Sequence, residues 1–345
     1  MIDDKNILFT KDTKLRDLKK YKSLAGAADY LFGHGEKIIY KDDEMTLQKV
    51  QEERPTWGAD DAVYGMNRLL SLARSGKRFM YSVYSDDEIK KERDKEEVKL
   101  FYFPAEGDGH KQKDRLIEKP YVVLAAGGAY FGVCSMVEAF PVAAMLNEKG
   151  YNVFCLNYRV SQLKLMPKPL NDMAAAMQFI KLNKNEFGIQ KDRYIVGGFS
   201  AGGNLAALWG TISKGYANYG LTAPEAVLLG YPLVSAKGIK ETMGAFIAML
   251  FPRMLYGLFA NSKVCDSWAL ENLITKKYPP TYICMAKDDD TIPQTQYHAL
   301  VKALKENRVN HSIEWVETGS HGYGLGTGTA ADGWVDRAVD FMEKR

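Results

Sequence analysis

The run Tyr194-Ile-Val-Gly-Gly-Phe-Ser-Ala-Gly-Gly-Asn204 sets a serine between two glycines, in the pattern G-x-S-x-G over Gly198 to Gly202. Tyr194 to Gly197 read as a short buried strand, and Asn204-Leu-Ala-Ala-Leu-Trp209 reads as helix. A serine on so sharp a strand-to-helix turn describes a nucleophile elbow. A Cβ on either flanking residue would collide with the neighbouring strand or helix, which is why both are glycine. The hydroxyl would then stand clear at the C-terminal edge of a sheet, above a helix N-terminus that favours developing negative charge.

A serine hydroxyl becomes a useful nucleophile only when a base takes its proton, and a third group must orient that base. The chain has five histidines. His34 and His110 precede the serine, His298 falls in a helical pattern and His311 opens a strand. His321 alone lies just past the last predicted strand, in Thr318-Gly-Ser-His-Gly-Tyr-Gly-Leu-Gly326, and is the candidate base. The acid should leave the end of the preceding strand, where Asp288, Asp289 and Asp290 stand in a row; residue chemistry by itself does not choose among them. A tetrahedral oxyanion needs preorganised N–H donors. Ala201 offers one, and Gly127-Gly128-Ala129-Tyr130, after the strand Tyr121 to Ala126, should offer the other from Gly128 or Ala129. Neither a G-x-G-x-x-G dinucleotide fingerprint nor a Walker A loop is present, and no histidine or cysteine cluster has metal spacing, so neither cofactor nor metal is expected.

These residues must be held by a frame. Apolar strands are predicted at residues 121–126, 153–158, 194–197, 226–229, 281–286 and 312–316, with helical stretches at 137–148, 172–183, 204–212 and 295–306. Continuous apolar strands separated by helices imply a mostly parallel sheet covered on both faces, with ligands bound at the strands' carboxyl ends. Residues 78–84 and 98–103 add two strands, and the charged run 86–97 between them reads as a solvated connection. Residues 106–119 read as a second polar loop, with His110 exposed in it. A segment from about 235 to 280, rich in Met, Leu and Phe, reads as a helical cap insertion whose apolar residues pack, exclude water and shape an acyl pocket. Residues 1–75 read as a helical extension, from the spacing of Leu15, Leu18, Tyr21, Leu24 and Ala25 and of Val63, Met66, Leu69, Leu70 and Ala73. His34 in that extension reads as a turn residue. The catalytic domain would then be 76–345.

Composition excludes several classes of partner. With 46 basic and 43 acidic residues the formal charge is +3, which gives no electrostatic footprint for nucleic acid. The longest apolar run, Met243 to Ala260, is interrupted by Pro252 and Arg253 and reads as covering helix, not as a membrane span. Cys134, Cys155, Cys265 and Cys284 are widely spaced and read as core thiols; with no signal-peptide pattern at the N-terminus, a cytoplasmic setting is the expectation.

Taken together, Ala125-Ala-Gly-Gly-Ala-Tyr130, Asn157-Tyr-Arg159, Gly198-Phe-Ser-Ala-Gly-Gly-Asn204, Pro279-Pro280, Asp289-Asp-Thr-Ile-Pro293 and Ser320-His-Gly-Tyr-Gly324 resemble the acetyl-esterase/lipase branch of the α/β-hydrolases. This is the group related to hormone-sensitive-lipase-like esterases and to bacterial acetylxylan and feruloyl esterases. The resemblance covers roughly residues 98–345. It implies an α/β-hydrolase fold and cleavage of a small-molecule ester with a short acyl group such as acetyl, on sugars among other alcohols. In that family the acid stands four residues before the proline of a D-x-x-V-P motif, which here is Asp289. Many relatives carry His-Gly-Gly-Gly where this chain has Ala126-Gly-Gly-Ala129. Tyr130, Phe131, Tyr231 and Tyr323 flank the catalytic loops, and each is read either as a substrate contact or as plain packing. The same triad could serve an acyltransferase or an arylformamidase- or peptidase-like amidase. A non-catalytic binding protein on this scaffold would be expected to lack a member of the triad, and none is missing.

Overall fold

A computed structural model describes residues 1–31, 44–106 and 119–344 in full, and 111–112 and 115–116 by their backbone. His34 and His110 lie outside the described residues. The frame is an eight-stranded sheet in the order β1-β2-β6-β5-β7-β8-β9-β10. The strands are β1 (Met80–Ser82), β2 (Lys99–Phe103), β5 (Tyr121–Ala125), β6 (Val153–Asn157), β7 (Tyr194–Phe199), β8 (Ala226–Gly230), β9 (Thr281–Ala286) and β10 (His311–Val316). Only β1 and β2 run antiparallel to their neighbours; all pairs from β6 to β10 are parallel. The remaining strands, β3 (Lys111–Gln112) and β4 (Arg115–Leu116), form a two-residue ladder inside the stretch expected to be only a polar loop.

Strands β5 to β9 are buried along their whole length, as their continuous apolar runs require when helices cover both faces. The chain winds from β5 to β6 on one side and then to β7 on the other, so the order reverses at β5. Loops leaving β5 and β7 therefore diverge and open a crevice at their carboxyl ends. Both the Gly127–Ala129 loop and the Ser200 turn begin at that crevice.

The N-terminal region is less helical than its spacing suggests. Leu15–Leu18 is a single α-turn, followed by 3-10 turns at Lys22–Leu24 and Ala28–Tyr30. The cause is local: Ile2 donates its N–H to the Lys20 carbonyl and accepts from Lys22 N–H, which takes the backbone groups that a continuing helix would need. The Ala59–Arg74 helix does form over the expected positions. It lies close against the Ala139–Glu148 helix; a Cβ at Gly65 would come within 2.6 Å of the Pro141 nitrogen.

The charged run is more than a solvated connection. Asp86–Lys91 is a helix with a capping box between Ser85 and Glu88, and Arg93–Glu97 is a 3-10 turn. Glu92 and Asp94 reach back to Arg159, which is itself buried and paired with Asp172 at 2.7 Å. A buried guanidinium needs that much negative charge around it, and the run supplies the share that Asp172 alone cannot.

The insertion is helical, with segments Lys240–Tyr256, Ser262–Asp266 and Leu270–Leu273 and a kink at Gly244. The apolar residues of its first helix and of the turn after it, however, do not pack as expected. Within the first helix only Phe251 and Leu255 are buried, whereas Phe246, Met249, Leu250, Leu258 and Phe259 face solvent. The segment is held to the body where Leu165 and Met166 donate N–H bonds to the Met254 and Leu255 carbonyls, and along its later part, where Ala269, Leu270, Ile274 and Tyr278 are buried and Tyr278 Oη donates to the Ala207 carbonyl. The Trp334–Glu343 helix, amphipathic and unpredicted from the sequence, closes the far side of the sheet against β9.

Candidate active site

Ser200 sits at the first position of the Ser200–Trp209 helix with φ of +50°, a left-handed conformation costly for a residue with a Cβ. Sterics around it are tight. A Cβ at Gly198 would meet the Gly202 carbonyl oxygen at 2.3 Å, and one at Gly202 would meet that of Ala125 at 2.1 Å. Only glycines let β5, β7 and the helix meet this closely.

His321 follows β10 and is half-buried. Its Nε2 lies 2.8 Å from Ser200 Oγ and its Nδ1 lies 2.9 Å from Asp289 Oδ2. A carboxylate only accepts, so Nδ1 carries the proton and Nε2 is left to accept from the serine hydroxyl. Asp289, whose carboxylate is buried, also accepts from Tyr297 Oη at 2.5 Å and from the Thr291 and Ile292 N–H groups at 2.9 and 2.8 Å. Those three bonds fix its orientation before the imidazole arrives.

The neighbouring aspartates do different work. Asp288 is exposed and accepts from Ser320 and Gly319 N–H at 2.8 and 3.3 Å, which pins the loop carrying His321. Asp290 is exposed, accepts from the Thr291 hydroxyl and lines the cavity above the serine. Of the remaining histidines, His298 is exposed beside Trp315 and His311 starts β10; neither approaches Ser200.

A cavity of about 650 Å³ opens over Ser200 and His321. Gly128, Ala129 and Phe131 form one wall, and the N–H groups of Gly128, Ala129 and Ala201 make no hydrogen bond among the described residues. Gly128, Ala129 and Tyr130 all have positive φ, so the loop is bent to aim its backbone inward. The opposite wall is the stretch Glu53 to Trp57 of the N-terminal region. The Arg54 guanidinium stacks over the Trp57 ring at 4.4 Å, and Thr56 Oγ1 donates to the His321 carbonyl at 2.7 Å. No residue of the 235–280 insertion lines the cavity, so the expectation that it shapes an acyl pocket is not met.

Of the four candidate substrate contacts only Phe131 faces the cavity. Tyr130, Tyr231 and Tyr323 are buried behind it and are spent on other bonds. Tyr130 Oη donates to Asn204 Oδ1, tying the β5 loop to the Ser200 helix. Tyr323 Oη donates to Cys284 Sγ, and Tyr231 stacks edge-on to both His321 and Tyr323. Their phenols are pushed upward by burial, so they remain neutral donors.

Sequence reasoning also missed Glu138. It is buried, lines the cavity and accepts from Gly127 N–H at 2.5 Å and from Tyr231 Oη at 3.2 Å. Burial pushes its carboxyl up to about 7, against the pull of the Gly127 N–H, of His321 and of the Tyr231 hydroxyl. The one available signal was a lone acid inside the apolar run Met136-Val-Glu-Ala-Phe140.

Comparison with known proteins gives a consistent picture. A family model described as BD-FAE matches residues 110–304, a span that holds Ser200 and Asp289 and stops short of His321. Endo-1,4-beta-xylanase B of Butyrivibrio fibrisolvens is 24% identical over 227 residues, covering 63% of this chain and 34% of that protein. An acetylxylan esterase of Xylanibacter ruminicola is 24% identical over 208 residues, covering 60% of this chain and 41% of its own length. The chain thus spans well under half of either relative. Among solved structures, an acetyl ester-xyloside bifunctional hydrolase from Caldicellulosiruptor lactoaceticus superposes with a TM-score of 0.63 at 24% identity, covering 77% of this chain and 95% of that one. The shared architecture is the α/β-hydrolase fold.

Proposed function

The chain belongs to the BD-FAE family, and on that premise we propose that it is a serine carboxylic-ester hydrolase acting on short-chain, acetyl-type esters, acetylated sugars among them. The observation that carries this reading is the hydrogen-bonded line from Ser200 Oγ through the His321 ring to Asp289, opening on a cavity edged by unpaired N–H groups. Ser200 attacks the acyl carbonyl while His321 Nε2 takes its proton, and Asp289 holds the ring in the tautomer that can do so. The N–H groups of Ala201 and of Gly128 or Ala129 hold the oxyanion. His321 returns the proton to the leaving alcohol; water, activated by the same imidazole, then cleaves the acyl-enzyme. Every step uses this chain's own side chains and backbone.

In this reading residues 76–345 form the catalytic domain, and residues 1–75 are an extension that lends it one cavity wall through Glu53 to Trp57. The four cysteines, all free and buried, support a reducing, cytoplasmic setting. Among the described residues no helix is long and apolar enough to cross a membrane.

The test is a panel of p-nitrophenyl esters of increasing acyl length with wild type and Ser200→Ala. Turnover should be strongest from acetate to butyrate and fall by roughly three orders of magnitude or more without the hydroxyl. Undiminished hydrolysis by the variant would end the assignment.

A further inference from the structure

Glu138 precedes the Ala139–Glu148 helix at its N-cap position, yet its side chain makes no capping bond there. It turns instead beneath the catalytic rim, where its partners come from separate loops. Oε2 accepts from Gly127 N–H, at the start of the β5 loop, and Oε1 accepts from Tyr231 Oη, just past β8. The Tyr231 oxygen in turn accepts from Gly324 N–H at 2.9 Å, three residues beyond His321. The Tyr231 ring lies edge-on to the imidazole, with centroids 4.9 Å apart. Gly127 is wedged between nucleophile and acid: a Cβ there would sit 2.7 Å from Ser200 Cβ and 3.0 Å from Glu138 Oε2.

A buried carboxylate is expensive to keep, and an apolar side chain would fill the space more cheaply. What an apolar residue could not do is accept two donors from two catalytic loops at once. We propose that Glu138 is a positioning residue for ester cleavage. It ties the oxyanion loop at Gly127, the turn at Tyr231 and the histidine loop at Gly324 into one unit, and as a carboxylate it sets a second negative charge behind the His321 imidazolium. This rests on the assignment of Ser200 and His321 given above.

The groups facing Glu138 favour that role. Beyond Tyr231 and His321 they are the Cys134 thiol, held neutral by burial, and the Tyr158 phenol, which donates to the Ala126 carbonyl. Arg54 lines the far side of the same cavity. His321 is therefore the cation that Glu138 interacts with most directly. With its carboxyl lifted to about 7, Glu138 changes charge across the neutral range and carries the base's environment with it.

Glu138→Gln separates charge from shape. The amide oxygen can still accept from Gly127. The amide NH2, however, faces a Tyr231 hydroxyl already receiving the Gly324 N–H, so the hydroxyl proton loses its acceptor. On p-nitrophenyl acetate, kcat should fall roughly 10- to 100-fold with KM within about 3-fold, as expected of an interaction strongest in the transition state. The acidic limb of kcat/KM should move to lower pH, because a base with one less negative neighbour gives up its proton more readily. Tyr231→Phe keeps the ring and the charge but cuts the bridge to Gly324; kcat should drop about 5-fold with the limb in place.

Wild-type kcat and an unmoved limb in Glu138→Gln would overturn the proposal, and so would a loss of kcat with the limb unmoved, which packing alone would produce. Should Glu138→Gln not fold, as judged by its thermal transition, Tyr231→Phe decides: unchanged kcat there also overturns it. Ser200→Ala assayed in parallel keeps the two questions apart, since activity surviving in that variant would remove the nucleophile assignment and not merely the role of Glu138.

Discussion

Thr56 and His321 stand 265 residues apart in the chain and are joined by a 2.7 Å hydrogen bond from the threonine hydroxyl to the histidine carbonyl. Next to it, the Trp57 indole packs over Gly322, where an added Cβ would lie 2.8 Å from Trp57 Nε1. The N-terminal region therefore buttresses the loop that carries the proposed base, as well as forming one wall of the cavity.

Removing this buttress should show in kinetics more than in stability. Thr56→Val should lower kcat about 3- to 10-fold through a less well-held imidazole, the scale expected for one hydrogen bond. Trp57→Ala, which removes part of the wall, should raise KM for p-nitrophenyl butyrate by about 10-fold. Steady-state parameters of both variants within error of wild type would mean that this contact is incidental to the reaction.

The three aspartates after β9 should separate by kinetics. Asp289→Asn should cost about 10⁴ in kcat, because the amide presents the wrong partner to Nδ1 and spoils the tautomer. Asp288→Asn should cost about 10-fold, through the loosened Gly319 and Ser320 N–H groups, and Asp290→Asn should stay within about 3-fold. A ranking in which Asp288→Asn matched Asp289→Asn would move the acid to the neighbouring residue.

Glu138 should leave a pH signature in stability as well as in rate. Its carboxyl is raised from an ordinary 4.5 to about 7 by burial, so the folded protein holds a proton that the unfolded chain has released. Stability from this group is therefore full below about 4.5 and is lost as pH rises towards 7, by on the order of 3 kcal/mol. Glu138→Gln does not titrate. Its urea-unfolding free energy, compared with wild type, should improve steadily over that interval; a constant difference would show that the group ionises alike in both states.

Arg159 should be a matter of folding and not of chemistry. Truncation to Ala strands the buried carboxylate of Asp172 and should destabilise the protein by about 3–5 kcal/mol in chemical denaturation. Replacing both partners with apolar residues of similar volume should recover much of that loss. A single Arg159→Ala variant as stable as wild type would show that Glu92, Asp94 and Lys168 can rearrange to solvate the pocket.

Much of the frame was legible because it rests on local periodicity. Strands β5 to β9 are continuous apolar runs and the elbow glycines are a steric requirement written into adjacent residues, so short windows suffice to find them. His321 could be picked because only one histidine follows the last strand. For Tyr130, Tyr231 and Tyr323 packing holds and substrate contact does not, for a reason that sequence cannot see: a residue beside a catalytic loop can point to the cavity or away from it, and a phenol serves equally as wall or as buried donor. The insertion misled in the opposite sense, since an apolar composition says nothing about which face meets the body.

The sequence by itself determined the strand and helix alternation, the serine turn and the order in which a hydroxyl, an acid and an imidazole leave the sheet. Each depends on residues close together in the chain. Tertiary structure decided which aspartate meets the imidazole, that residues 53–57 and not the insertion wall the cavity, and that a buried glutamate joins three loops beneath it. Those are contacts across tens to hundreds of residues, fixed by how layers pack over a twisted sheet, and no local pattern of residue types encodes the direction in which a side chain turns when the layers close.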